Sequence, residues 1–499
     1  MIRWVANCRC FRFRRRRIAF IFTLALATFI LALQINIYTV QVTQSEKGDI
    51  VVETNLLRPL ETLPTINLTA EQHVNTALEK NNEREQSSNS DGKTFVVSPT
   101  KNRETGAKQR VPPCAQLQEK SRFREVSKGV LVFSVWFDHR KTQPFIRILL
   151  LWSRQKPPPS LTCKFESAAK RKILTSASVF YEHNENHHRH YGAFIASCVV
   201  PQELDRIPCS VNVSITSAAE GQNVGNDISL AFPVGFTGRL DDLNGRKYGI
   251  CIPPVHGDIS VDKIVEFIEL TKILGASHFT FYDLAMTERV RDVLSHYENK
   301  GLVSVLDWNL PEYIGNNDLH YHGQVLSIMD CLYRSMRDLR FVAFHDLDEF
   351  IVPLRHDNMN SLLQEIHKDQ HCGHCFESVV FDPSTNHEST KISPLITQRV
   401  FYRTSQFIRY WTKCVVDPHR IFEQGIHHIS KALEEYYDPD QVDWNIARVF
   451  HYRKCQDSGA SMQLTCSNSF EVDKTMEKFG HELLLNFRSA MNVTNADAL

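Results

Sequence analysis

An apolar run, Phe341-Val342-Ala343-Phe344, feeds directly into His345-Asp346-Leu347-Asp348-Glu349, and the chain leaves through a second apolar run, Phe350-Ile351-Val352-Pro353. Three carboxylates within four positions at a strand end repel one another. Burial drives their pKa values up unless positive charge lies between them. A divalent cation supplies that charge. Read as extended chain, the segment places Asp346 and Asp348 on one side and Leu347 on the other. Hard oxygen donors of this kind suit Mg²⁺ or Mn²⁺, ions that complete their shells with substrate phosphates and water. An isolated Asp-x-Asp is more often the solvated end of a strand. The apolar runs on both sides, and the company the motif keeps, favour a site.

That company is an alternation of strands and helices from Tyr248 onward. Gly249–Ile252 is a short strand, and Ser260 caps a helix whose apolar face includes Val261, Ile264, Val265 and Ile268. A strand over Phe279–Tyr282 follows, then a helix capped by Thr287, with Val290, Val293, Leu294 and Tyr297 at helical spacing and a stop at Gly301. Leu302–Leu306 is a third strand, and Tyr321–Arg337 a helix with Val325, Ile328, Met329, Leu332, Tyr333 and Met336 on one face. Such alternation predicts an α/β fold with a mainly parallel sheet. Ligands bind beyond the carboxyl ends of parallel strands, where Asp283, Asp307, Asp346 and Asp348 all fall.

Upstream, residues 128–235 read as β structure: Gly129–Phe137, Phe145–Trp152, Ser178–Tyr181, Ala193–Val200 and Ser210–Ile215 are β-branched and aromatic, punctuated by Pro157-Pro158-Pro159 and polar clusters. A small all-β accessory domain, an antiparallel sandwich, is expected. The histidine-rich stretch His183–His190 reads as an exposed loop between strands rather than a metal site. Residues 41–110 contain one aromatic, Phe95, and no cysteine, so they bury too little to offset their ordering entropy and read as a stem.

The N-terminus sets the compartment. Residues 1–17 carry seven arginines and no acid, and Ile18–Val40 carries no charge. That length spans a bilayer core of about 30 Å, and the arginine block keeps residues 1–17 cytoplasmic. A type II anchor over residues 18–40 is expected, with everything beyond it lumenal. Leu33-Gln34-Ile35-Asn36 offers no small-x-small cleavage site. Sequons at Asn67, Asn212 and Asn492, all beyond the anchor, agree. Of thirteen cysteines, Cys8 and Cys10 precede the anchor, where they are palmitoylated or plain thiols. The other eleven suit a disulfide-bearing secretory domain, and their odd number leaves one thiol free or paired between chains, so a homodimer stays open. Without the seven arginines the chain has 50 basic and 57 acidic residues, no footprint for nucleic acid.

Several motifs in order resemble glycosyltransferase family 92: Tyr248-Gly-Ile-Cys-Ile-Pro-Pro, Val265-Glu-Phe-Ile-Glu-Leu, Leu274-Gly-Ala-Ser-His-Phe, Gly323-Gln324, Asp330-Cys331-Leu332-Tyr333-Arg334, Asp346-Leu-Asp-Glu-Phe-Ile-Val-Pro353, Lys413-Cys-Val-Val-Asp-Pro418, Gly425-Ile-His427 and His451-Tyr-Arg453. They cover about residues 246–456, and Val132–Arg140 looks like that family's accessory segment. The resemblance implies a GT-A fold over residues 246–490, a Golgi type II membrane protein, and an inverting mechanism with UDP-galactose as donor. It also implies a fucose or galactose of an N-glycan as acceptor, joined by a β1,4 link.

On that resemblance Asp348 ligates Mn²⁺, while Asp346 ligates it or contacts the ribose. His451 is the C-terminal histidine ligand, with His427 and His428 as rivals. Asp283 is placed at the uracil edge, and Lys413 and Arg453 face the diphosphate. The general base is expected at Asp382 or Glu388, with Asp417 and Glu423 in reserve. Phe381 and Pro383–Asn386 stand where the family has a tryptophan and a Gly-Ser-rich loop, so the acceptor side departs from its pattern. Acceptor-lining segments are expected at 381–388 and 308–321. His371-Cys-Gly-His-Cys375 has the look of a zinc motif, but a lumenal Cys-x-x-Cys without a second cysteine pair more often forms disulfides. Rival functions are a transferase of different donor specificity, and a catalytically silent lectin-like protein whose β domain binds sugar. The intact aspartate pair speaks against silence.

Overall fold

The computed structural model describes residues 38–44, 50–56, 121–155, 160–167, 172–204, 207–216, 229–238, 248–385, 393–455 and 469–496. Residues 1–105 form a unit of their own, in which Tyr38–Gln44 pairs antiparallel with Ile50–Leu56. The expected anchor lies outside the described residues except for Tyr38–Val40, which open the first of these strands. No helix among the described residues is long and apolar enough to cross a membrane.

In the second unit the chain first builds a nine-stranded sheet, antiparallel but for its last short strand. Val130–Asp138 pairs with Phe145–Ser153, which pairs with Tyr191–Val199 and onward to Ser210–Thr216 and Ser229–Pro233. The two edge strands, Ser229–Pro233 and Gly235–Phe236, are separated only by Val234. The sheet therefore curls into a nearly closed barrel, which leaves little edge to protect.

The central strands are apolar on both faces because each face meets a core. Val130, Val132, Ile146, Ile148, Leu150, Phe194 and Ala196 pack inside the curl. Leu131, Phe133, Trp136, Leu149, Leu151, Ala193 and Ile195 pack outside it, against Tyr282, Trp308, Leu332 and Tyr333 of the following region. A bulge between Val132 and Ser134 switches the alternation, so Val135 and Phe137 return to the inner face. The accessory sheet and the C-terminal half thus share one core.

The C-terminal half is an eleven-stranded mixed sheet. Val303–Asp307, His278–Ala285, Tyr248–His256 and Phe341–Phe344 lie side by side in parallel. Helices Val261–Ile273 and Glu288–Asn299 connect them, with Ser260 and Thr287 accepting from Lys263 N and Val290 N as capping predicts. The helix expected from Tyr321 begins instead at Gln324, because Tyr321, His322 and Gly323 all have positive φ (39°, 55° and 86°).

Beyond Pro353 the expectation of a mainly parallel GT-A-type sheet fails. Ile408–Val416 runs antiparallel to Phe341–Phe344 and to His371–Phe381, and Glu349–Pro353 runs antiparallel to Ala447–Tyr452. Over the whole described structure antiparallel pairs outnumber parallel ones, and no α-helix occurs between His371 and Val472 among the described residues. The physical reason is connectivity. Parallel pairing of consecutive strands needs a long crossover, usually a helix, and the described residues of this stretch hold none, so its two parallel pairs, of His371–Phe381 with Asp438–Gln441 and with Ala447–Tyr452, join strands far apart in sequence.

Disulfides join Cys163 to Cys198, Cys251 to Cys331 and Cys375 to Cys414. Cys209 and Cys455 are also disulfide-bonded, and Cys372 is a buried free thiol. Of the sequons, Asn212 is half-buried in the Ser210–Thr216 strand, Asn492 is exposed on the Gly480–Ala496 helix, and Asn67 lies outside the described residues. The His183–His190 loop is not wholly exposed: His183 is buried and its Nε2 lies 3.0 Å from the Gln424 carbonyl.

A buried charge cluster ties the two sheets. Asp138 accepts from Arg140 Nε at 2.8 Å and Arg147 Nε at 2.9 Å. Arg140 reaches on to the carbonyls of Pro418 (3.2 Å) and Ile421 (2.5 Å) and to the Tyr333 hydroxyl (3.3 Å). Burial alone would raise the Asp138 carboxyl, but the two guanidinium groups outweigh it and hold it far below the usual range. Removing one partner of such a cluster leaves buried charge uncompensated. Asp138→Ala should therefore lower stability by about 3–5 kcal/mol in urea unfolding. A loss below about 1 kcal/mol, the ceiling for an exposed pair, would show that the cluster does not hold the halves together.

Candidate active site

The Phe341–Phe344 strand ends at His345, and the three acids sit on the tight turn that returns the chain as Glu349–Pro353. Glu349 N donates to the Asp346 carbonyl at 3.1 Å, and Asp346 N donates to Glu349 Oε2 at 2.9 Å. The two aspartates are thus presented by a turn and not by extended alternation. Both open onto a cleft of 640 Å³, which Lys263, Tyr321, Trp411, His427, His451 and Arg453 also line.

Lys413 lies beneath the acids. It is 1% exposed, and its Nζ donates to Asp346 Oδ2 at 3.4 Å and stands 2.9 Å from Glu349 Oε2. Burial pushes Glu349 up to about 8, reinforced by Asp346 and Asp348 and only partly opposed by Lys413. Burial would depress the Lys413 ammonium, but Glu349 and Asp346 outweigh it and hold it above its ordinary value. Asp346 is held below the carboxylate range: burial alone would raise it, and Lys413, His451 and His427 more than reverse that. One ammonium therefore serves two carboxylates. Asp348 is left toward the cleft, with the half-exposed Lys263 at 3.6 Å and His451 at 3.8 Å.

Sheet register brings the histidine. Glu349 is directly opposite His451 in the antiparallel pair, and Tyr452 N donates to the Asp348 carbonyl at 2.8 Å. His451 Nε2 stands 3.8 Å from Asp348 Oδ1 and its Nδ1 3.5 Å from Glu349 Oε1, with Nδ1 buried and making no hydrogen bond. Burial, partly offset by Asp348, pushes His451 down to about 4. The imidazole is neutral at physiological pH, the form that ligates metals. Asp346, Asp348 and His451 together are a carboxylate and imidazole set that fits a divalent cation in kind. His427 also lines the cleft, with Nδ1 3.2 Å from the Thr412 carbonyl. His428 is exposed and stands beside Glu185.

The other expected residues are placed as follows. Arg453 lines the cleft with its guanidinium 4.6 Å from the Trp411 ring centroid. Asp283 is not among the lining residues: it accepts from Arg291 at 2.5 and 3.2 Å and from Met286 N at 2.9 Å. Asp382 is buried, accepting from Ser384 N, Ser384 Oγ and Cys455 N at 2.8, 2.6 and 3.1 Å. Glu388 lies outside the described residues. Asp417 is buried against Arg340 and Arg420, and Glu423 accepts from Tyr181 and Asn184. Neither lines the cleft.

Sequence reasoning gave Glu349 no role and passed over Trp411, Lys263 and His256. Trp411 was findable by position, two residues before Lys413 on one strand, although a register shift between Ile408 and Lys413 breaks the alternation there.

Residues 246–495 match the family model described as glycosyltransferase family 92. Among curated relatives, the beta-1,4-galactosyltransferase galt-1 of Caenorhabditis elegans is 25% identical over 344 residues, 67% of this chain and 77% of that protein. The galactan beta-1,4-galactosyltransferase GALS2 of Arabidopsis thaliana is 26% identical over 285 residues, and the match spans about half of each chain. The matched region contains the acid turn, Lys413, His451 and Arg453 with the whole cleft-forming sheet, and this chain belongs to glycosyltransferase family 92.

Proposed function

We propose that this glycosyltransferase moves galactose from UDP-galactose to a glycan hydroxyl, with inversion and with help from a divalent cation such as Mn²⁺. The observation that carries the reading is the convergence of Asp346, Asp348 and His451 on one cleft that also holds Arg453 and the aromatic residues Tyr321 and Trp411. The names of the relatives support galactose and a β1,4 link.

In the proposed step the acceptor oxygen attacks the sugar C1 as the bond from C1 to the phosphate oxygen breaks. The acceptor proton passes to a base, and UDP leaves with the electron pair. Asp346, Asp348 and His451 would hold the cation, which when bound supplies Lewis-acid stabilisation of the leaving diphosphate. Lys413 keeps Glu349 and Asp346 in place, so the turn presents its acids without reorganising. Arg453, braced on Trp411, offers a fixed positive charge to the diphosphate. The Trp411 and Tyr321 rings suit sugar C–H faces. Glu388 remains the candidate base. Asp382, whose carboxylate binds Ser384 and Cys455, anchors the chain on either side.

Asp348→Ala should retain the wild-type melting temperature, since it removes a repelling charge at a turn. It should lower kcat/KM by a thousandfold or more, about 4 kcal/mol of transition-state stabilisation. The check is a radiolabelled panel of UDP-sugars and glycan acceptors with and without EDTA. Full activity in EDTA would remove the cation from the proposal. Failure to transfer or hydrolyse any donor would remove the reaction.

Glu388→Gln should collapse kcat while donor affinity persists, whereas Asp382→Asn should mainly raise the acceptor KM. Steady-state kinetics on both variants separate the roles, and near wild-type values for the two would place the base elsewhere.

The proposed setting is a Golgi membrane, with the cleft lumenal. Protease added to intact vesicles should remove an epitope placed on residues 1–17 and leave the remainder protected. Protection of that epitope would reverse the topology.

A further inference from the structure

The motif His371-Cys372-Gly373-His374-Cys375 does not become a cysteine metal site, because Cys375 is bonded to Cys414. Its histidines have another arrangement. Residues three apart in a regular strand point to opposite faces. Here a register shift between His371 and Gly373 interrupts the strand, and the donor atoms of His371, His374 and Asp440 all come within 4.8 Å of one another. Gly373 is needed at this point: a Cβ there would stand 2.8 Å from Val416 Cγ1 and 2.9 Å from the Val415 carbonyl oxygen. Asp440 comes from the short strand Asp438–Gln441, which pairs parallel with this one and places Asp440 opposite His374.

Hydrogen bonding accounts for only part of the cluster. Arg420 Nη1 lies 3.3 Å from His367 Nε2, His367 Nδ1 lies 3.1 Å from His374 Nε2, and His374 Nδ1 lies 2.8 Å from Asp440 Oδ2. That chain satisfies His367, His374 and Asp440. It leaves His371 Nδ1 buried without a partner, a costly state for a polar atom. The His374 ring is wholly buried, and burial pushes its pKa down, partly opposed by Asp440. Asp440 is partly exposed and gives a route in from solvent.

We propose that His371, His374 and Asp440 bind a divalent transition-metal ion of the zinc class, at a structural site distinct from the cleft. Two imidazoles and a carboxylate form a borderline donor set, which suits Zn²⁺ better than Mg²⁺ or Ca²⁺. With metal–nitrogen bonds of about 2.0–2.1 Å, tetrahedral donors stand roughly 3.3 Å apart, so the trio closes by about an ångström or a little more. The fourth position is left to water, because His367 meets His374 Nε2 while Asp440 meets Nδ1 on the other side of the ring. The ion would pin the Asp438–Gln441 strand to the sheet. None of these residues lines the cleft.

The test uses the full chain in detergent, stripped with a chelator, exposed to Zn²⁺ and assayed for bound metal after gel filtration in excess Mg²⁺. The Asp348→Ala variant serves as a background in which the cleft is disabled. One equivalent of zinc is expected in both wild type and Asp348→Ala, falling below a tenth of an equivalent in His371→Gln and in Asp440→Asn. Substitution with Co²⁺ should give a visible d–d absorption band that both variants lose. Should His371→Gln fail to fold, Asp440→Asn, altered at a partly exposed side chain, decides the matter. Absence of zinc from wild type, its loss in Asp348→Ala, or its full retention in Asp440→Asn would overturn the site.

Discussion

Three carboxylates on one tight turn are the constraint around which this half of the molecule is arranged. Their mutual repulsion is relieved by a single buried ammonium, Lys413, placed between Asp346 and Glu349. That cation does not come from the strands that flank the turn, Phe341–Phe344 and Glu349–Pro353, whose apolar side chains fill the cores. It arrives on the antiparallel Ile408–Val416 strand. His451 arrives the same way, opposite Glu349 on the Ala447–Tyr452 strand. The antiparallel half of the sheet therefore supplies what the parallel half leaves unbalanced. On the side facing the cleft, Asp348 has Lys263 at 3.6 Å and the His451 imidazole at 3.8 Å.

The curled N-terminal sheet is part of the same structure. Its outer face and the Gln324–Asp338 helix close one core between them, and Arg140 bonds to carbonyls of the stretch that follows the Lys413 strand. Its His183–Asn186 loop also reaches Gln424 and Glu423, beside His427 at the cleft. A sheet that merely carried a binding face would not need apolar residues on both sides of its central strands. Here the second apolar face is explained by the helix it covers.

The residues that meet at the candidate cleft were legible because they stand in short contiguous motifs. Asp346 and Asp348 are two residues apart on one turn, and His451 and Arg453 are two apart on one strand end. Caps at Ser260 and Thr287 and the helices they open were readable for the same reason: capping and amphipathic spacing are local. The odd cysteine count also carried through, to the free Cys372 among the described residues. The mainly parallel sheet did not carry through, because alternation of strands and helices before Pro353 says nothing about strands after it, whose order is set by pairing across long separations. The left-handed turn at Tyr321 and His322 was invisible too, since those side chains carry no signal for positive φ.

By itself, then, the amino-acid sequence determined which groups are available: a carboxylate turn, candidate ligand histidines, lysine and arginine, and local elements with their caps. Those are properties of near neighbours along the chain, where sterics and hydrogen bonding act within a few residues. Tertiary structure alone decided what each group faces. Lys413 lies under Asp346 and Glu349 because its strand enters antiparallel beneath them. Asp283 was taken up by Arg291, and Asp382 by the backbone of Ser384 and Cys455. Cys375 was drawn to Cys414, leaving His371 and His374 to find Asp440. Charge and ligation act through space over a few ångströms, and only the folded pairing of distant strands sets those distances.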